Sequence, residues 1–282
     1  MRSTVRQRGE TAGWDVANPR RPGRVAGVRM AGFGVPGSLA EGLRIIPHPA
    51  MMVAVEFSAT ASVAVDGGGR RQRGSLVAGP GFGYGGAVRV WGENVECVQI
   101  RLSPVIAGAV LGMPPSELDG TMTTLANLWG AEASRIAERL SEAPTWEQRF
   151  ALADALVVRR RSTAASVDPE VTWAWNRIVR SRGRVRVERL ASELGWSRKR
   201  LWSRFGSQIG LTPKRAARLV RFDHAAHRLV AGHDPATVAA EVGFADQSHL
   251  HRDIVAFTAA TPSAMTGEPF LTIDDKAWPV RG

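Results

Sequence analysis

Two stretches in the last third of the chain repeat each other. Residues 190–213 read "LASELGWSRKRLWSRFGSQIGLTP", and residues 238–262 read "VAAEVGFADQSHLHRDIVAFTAATP". Both run apolar-Ala-x-Glu-apolar-Gly-aromatic, and both close on Thr-Pro. Gly195 aligns with Gly243. Past that point Leu201 aligns with Leu250, Phe205 with Ile254, and Thr212-Pro213 with Thr261-Pro262, so the second turn holds one extra residue. Two copies are too few for a solenoid, which needs three or more stacked units. They fit a duplicated supersecondary unit.

Each copy predicts a helix, a tight turn and a second helix. Glycine supplies the left-handed backbone of the turn. Ser197 and Asp246 are the helix-capping residue types at the start of each second helix. Leu201 and Phe205 share one helix face, as do Leu250, Ile254 and Phe257, and that face is the expected core. Thr212-Pro213 then reads as a cap followed by proline at the first helical position. The helix it opens is expected to run to Ala231, with Gly232 as its stop.

The polar faces point to nucleic acid. In the first copy they hold Ser197, Arg198, Lys199, Arg200, Trp202, Ser203 and Arg204; in the second, Gln247, Ser248, His249, His251 and Arg252. A helix-turn-helix lays the start of its second helix in the DNA major groove. Arg and Lys pair there with guanine edges or phosphates, and Gln with adenine. Two such helices, held apart by a linker helix of about 28 Å, suit successive grooves about 34 Å apart.

Charge is distributed to match. The chain has 282 residues and a formal net charge of +11. Biased base composition accounts for Arg being chosen over Lys, but not for where the charge lies. Residues 177–221 hold 14 basic side chains against Glu188 and Glu193, whereas 233–270 hold Arg252 against five carboxylates. The first copy is expected to supply most of the salt-dependent phosphate affinity.

These residues carry a resemblance. Residues 170–266, and above all "GFADQSHLHRDIVAFTAATP", resemble the DNA-binding domain of the AraC/XylS family of transcription regulators. The resemblance implies a seven-helix domain with recognition helices near 197–207 and 246–257. It places Lys199, Trp202, Ser203, Gln247, Ser248, His249 and Arg252 where the family contacts DNA. Ser203 stands where the family often has Arg, and Ala259 where it often has Gly; Asp253 and Ile254 suit a subgroup of the family.

Further forward, residues 43–103 alternate in short β-branched runs between turn signals such as "DGGGRRQRG" and "AGPGFGYGG", the pattern of an antiparallel sheet or small barrel. Helical patterns follow at "EASRIAERLSEA" and "TWEQRFALADALVVRRR". Residues 1–40 are expected to be an irregular arm, and 162–169 a linker. "WDVANPRRPG", "VECVQIRLSPVIAGAVLG" and "LANLWGAEASRIAERL" resemble the cupin-like regulatory domains of actinobacterial members of the family. The expected fold is therefore α+β. Residues 1–165 form a β-barrel-like effector-sensing or dimerisation domain with helices. Residues 170–270 form an all-α domain of two helix-turn-helix units, and 271–282 a tail.

The expected function is a sequence-specific DNA-binding transcription regulator modulated by an unidentified small molecule. Double-stranded DNA, RNA polymerase and a second copy of the chain are the expected partners, with no cofactor and no membrane. The alternative is a small-molecule-binding or enzymatic cupin-like domain that uses DNA as an anchor. No catalytic residue is assigned, because Ser103 and the scattered Asp residues have no triad spacing with a histidine. No metal site is assigned either. His48 stands alone before residue 200, and neither His224/His227 nor His249/His251 has partners at zinc-like spacing. The former pair is expected to pack the linker helix and the latter to meet DNA. The "AGPGFGYGG" glycines lack the Gly-Lys-Ser/Thr of a phosphate loop. Cys97, the one cysteine, is expected to be a core thiol. It fits a reducing cytoplasm, and the basic start of the chain lacks the apolar run of a signal peptide.

Overall fold

The structure, a computed structural model, describes residues 13–84, 87–161 and 167–278. The front half is built from β1 (Asp15–Ala17), β2 (Val28–Ser38), β3 (Leu43–Ile45), β4 (Met51–Glu56), β5 (Val63–Val65), β6 (Arg71–Arg73), β7 (Leu76–Ala78), β8 (Val88–Trp91), β9 (Glu93–Leu102) and β10 (Met122–Thr124). Every pairing is antiparallel. Six strands order as β1-β2-β9-β4-β7-β10 and four as β3-β8-β5-β6, so the described residues form two sheets rather than one closed barrel. α1 (Pro104–Leu111), α2 (Leu125–Trp129), α3 (Ala131–Glu142) and α4 (Trp146–Arg161) accompany them.

The arm expected over residues 1–40 carries two strands, β1 and β2, with an irregular stretch at 18–27 between them, and its residues 1–12 lie outside the described residues. β1 pairs with β2, and β2 pairs with β9 from Val28↔Leu102 to Ser38↔Glu93. Glycines in "VRMAGFGVPGS" concealed this strand, since they lower strand propensity and remove side chains from the alternation. One has a packing reason: a Cβ on Gly32 would lie 2.4 Å from the Trp146 ring, which occupies that space. β9 is covered on both faces. Val98, Ile100 and Leu102 join a core with Ala107, Ile136, Leu140, Phe150 and Leu156 of the helices. Gln99 and Arg101, which alternate with them, are also buried.

The back half holds seven helices between residues 169 and 266: α5 (Pro169–Arg180), α6 (Val187–Glu193), α7 (Arg198–Ile209), α8 (Pro213–Val230), α9 (Pro235–Val242), α10 (Gln247–Thr258) and α11 (Pro262–Thr266). The internal repeat folds as two helix-turn-helix units, α6-α7 and α9-α10, joined by α8. The Thr212 side chain accepts from the Arg215 amide at the start of α8, whose 18 residues end at Val230, and Gly232 follows at φ 85°. Leu201, Phe205 and Ile209 of α7 and Leu250, Ile254 and Phe257 of α10 enter one core with Trp175 and Phe222. No described helix is long and apolar enough to cross a membrane.

The segment expected to be a tail from residue 271 is helical instead. In α12 (Pro269–Ala277), Ile273 and Ala277, with Trp278 just beyond, pack into a cluster with Trp14, Val16, Phe33, Val35 and Val95 of the front half. These apolar positions fall at helical spacing, and the face they cover is remote in sequence. Other contacts join the halves. Ile46 is part of the back-half core. Tyr84, from the glycine-rich loop, stands edge-on to Phe257 at 5.1 Å and accepts from Arg218 Nη1 at 3.1 Å. Asp119 pairs with Arg215 at 2.8 Å. Gly210, left-handed at the end of α7, lies so close to Pro115 that a Cβ there would be 2.6 Å from its carbonyl oxygen.

Candidate nucleic-acid interface

α7 and α10 are fixed from both ends by local chemistry. The Ser197 side chain accepts from the Arg200 amide. Asp246 does the same for His249, at 2.7 Å. α7 stops at left-handed Gly210, and α10 at Ala259, which holds φ +50° despite its side chain. α10 is also tied down. Asp253 is buried and pairs with Arg218 of α8 at 2.7 Å, and this bond outweighs burial in raising the Arg218 pKa.

The outward face of α7 is strongly cationic. Ser197, Arg198, Lys199, Arg200, Trp202, Ser203 and Arg204 are all exposed. Arg198, Lys199, Trp202 and Ser203 line one shallow groove. The arginines already have protein partners: Arg198 reaches Glu188 at 3.6 Å, Arg204 reaches Asp168 at 2.9 Å, and Arg200 stacks on Trp196 at 4.5 Å. Three cations therefore occupy the first turn of α7, which contains no acidic residue. That turn is the positive end of the helix dipole, where cations are unfavourable and anions are favoured.

α10 presents a more mixed face. Gln247, Ser248, His251 and Arg252 are exposed. His249 differs from its fellows: it is half-buried, with its ring edge-on to Phe244 at 5.5 Å. Part of that imidazole therefore serves the turn of its own unit. Sequence reasoning missed Arg44 of β3. Its guanidinium donates to the carbonyls of Thr258 and Ala259 and pairs with Glu268 at 2.7 Å, so a front-half cation caps the negative end of α10. No sequence signal links residue 44 to residue 258.

Residues 190–267 match the family described as "Helix-turn-helix domain". No curated protein sequence matches the chain. Among solved structures, a point variant of apo ToxT from Vibrio cholerae strain SCE256 aligns with a TM-score of 0.51 at 10% identity, covering 88% of this chain and 99% of that one. The same protein with an unsaturated fatty acid bound aligns at 0.47 and 10%, over 88% and 97%. The C-terminal domain of AraT, a response regulator from Geobacillus stearothermophilus, aligns at 0.34 and 19%, over 36% and 87%. Residues 190–267 thus carry a helix-turn-helix domain, and the chain shares with ToxT the fold in which an N-terminal antiparallel β domain precedes a helical domain.

Proposed function

We propose that the chain is a sequence-specific transcription regulator whose helices α7 and α10 enter successive major grooves of one DNA duplex. The observation that carries this reading is the first turn of α7, where three cations crowd a positive helix end in a turn that contains no acidic residue of its own. Phosphate relieves that unfavourable cluster, and the exposed ion pairs of Arg198 and Arg204 exchange their carboxylates for it at small cost. Lys199, Trp202 and Ser203, with Gln247, Ser248, His251 and Arg252, then face base edges. α8 spans about 27 Å from end to end, which suits grooves about 34 Å apart once the widths of the two units are added.

The front half is the regulatory part of the proposal. A small molecule bound there acts on the reading helices through the seam, with Arg44 on α10 and Tyr84 on Phe257 as direct handles. By linkage, DNA then tightens effector binding as much as the effector tightens DNA binding. RNA polymerase and a second copy of the chain are the further partners of this reading.

The test is selection from a genomic fragment library, followed by affinity for the best site and for random DNA at two salt concentrations. The expected result is a site covering two adjacent major grooves and a large preference over random DNA. Arg252→Ala should weaken binding to that site by about 1–3 kcal/mol. Equal affinity for all fragments, with a steep salt dependence, would overturn sequence-specific reading and leave α7 as a phosphate-binding element.

A further inference from the structure

Three segments remote in sequence meet at the seam between the halves. His48 follows β3, Asp223 and His227 lie on α8, and Asp274 and Asp275 lie on α12. His48 is 4% exposed and Asp274 is 1% exposed. His48 Nδ1 is 2.7 Å from Asp223 Oδ1, and His227 Nδ1 is hydrogen-bonded to Asp275. Both imidazoles therefore have one nitrogen engaged by a carboxylate, and the other turned toward Asp274. His48 Nε2 lies 3.4 Å from Asp274 Oδ1 and His227 Nε2 lies 3.6 Å from Asp274 Oδ2. Arg101 holds Asp274 Oδ1, while Asp274 Oδ2 is buried with no hydrogen-bond partner.

We propose that His48, His227 and Asp274 form a binding site for one divalent transition-metal ion of the zinc class. The ligand atoms available from the three residues lie within 4.8 Å of one another. Ligands about 2.0–2.1 Å from a tetrahedral zinc ion lie roughly 3.3 Å apart, so a small contraction completes the set. The surrounding shell is already of the right kind. A metal-bound histidine donates its other N–H to a carboxylate, which fixes the tautomer and raises the basicity of the ligand. Asp223 and Asp275 do this for the two histidines, and Arg101 fixes the carboxylate. With neutral imidazoles, the carboxylates of Asp223, Asp274 and Asp275 against Arg101 leave a double negative charge, which a divalent cation cancels. Three protein ligands leave a fourth position open. The ion would join the β domain, the linker helix and α12 at a single point. None of this depends on how α7 and α10 read DNA.

The experiment is equilibrium dialysis of the full chain against Zn²⁺ at about pH 8, where protons compete less with the ion, with bound metal counted by elemental analysis. The expected result is one saturable ion per chain, an affinity loss of at least about 100-fold in His227→Gln and His48→Gln, and unchanged binding in His233→Ala, whose imidazole is exposed and outside this cluster. Absence of one-to-one binding in the unaltered protein, or full binding in a folded His227→Gln variant, would overturn the proposal. Should the variants fail to fold, a zinc-edge anomalous difference map of the unaltered protein takes their place. A peak bounded by His48, His227 and Asp274 supports the site, and a peak elsewhere or none sinks it.

Discussion

Ala259 ends α10 in the left-handed region at φ +50°, where an L-residue costs roughly 1–2 kcal/mol. Glycine removes that strain but adds freedom to the unfolded chain worth about 0.5–1 kcal/mol. Ala259→Gly should therefore stabilise the protein by about 0.5–1 kcal/mol in urea unfolding; a loss of stability would mean that the turn is not left-handed in solution. This position was visible in the sequence because the family that the chain resembles often has glycine where Ala259 stands. Cys97 is a second case. It is half-buried in β9, and burial, with the nearby charges of Glu56 and Glu96, pushes its thiol up to about 12. At pH 8 the native thiol then stays protonated, against roughly a quarter ionised in an unfolded chain. Alkylation should be slow in the native protein and fast in denaturant. The sign for stability follows: the folded state resists losing this proton, so stability falls only as pH climbs past the unfolded value of about 8.5. Rapid native alkylation at pH 8 would contradict that burial.

Each reading helix depends on one capping side chain. Asp246 accepts from the His249 amide, so Asp246→Ala should cost about 1 kcal/mol, while Asp246→Asn, also a good cap, should cost a few tenths. Thermal melts of the two variants make the comparison, and equal losses would show that the carboxylate charge matters rather than the cap. Elements of this kind were legible because their signals are local: cap, apolar spacing, turn glycine and Thr-Pro fall within one window. The same holds for α3, α4 and α8. β2 was not legible, since its evidence lies in its partner strand β9 and in the Trp146 ring that fills the place of a side chain at Gly32. His249 was only half legible. Its spacing put it on the outer face, but its contact with Phe244 crosses the turn.

Across the whole molecule, the sequence division at residue 165 separates what the packing joins. Ile273, Ala277 and Trp278 complete a cluster whose other members are Trp14, Val16, Phe33, Val35 and Val95. No periodicity within either segment could reveal this, and the meeting of His48 with His227 was hidden for the same reason. Deleting residues 268–282 removes several buried side chains worth about 1.5–3 kcal/mol each, against a typical domain stability of 5–15 kcal/mol. The shortened protein should bind an apolar dye and lose its sharp melting transition. A cooperative melt at the full-length temperature would show that the β domain stands without α12. The same cluster carries a cost during synthesis. At about 5–20 residues per second, Trp278 emerges roughly 9–37 seconds after Val95. Throughout that interval the sheet face formed by Trp14, Phe33 and Val95 waits on the ribosome for its cover, and a nascent chain with such a face is a natural client for chaperones.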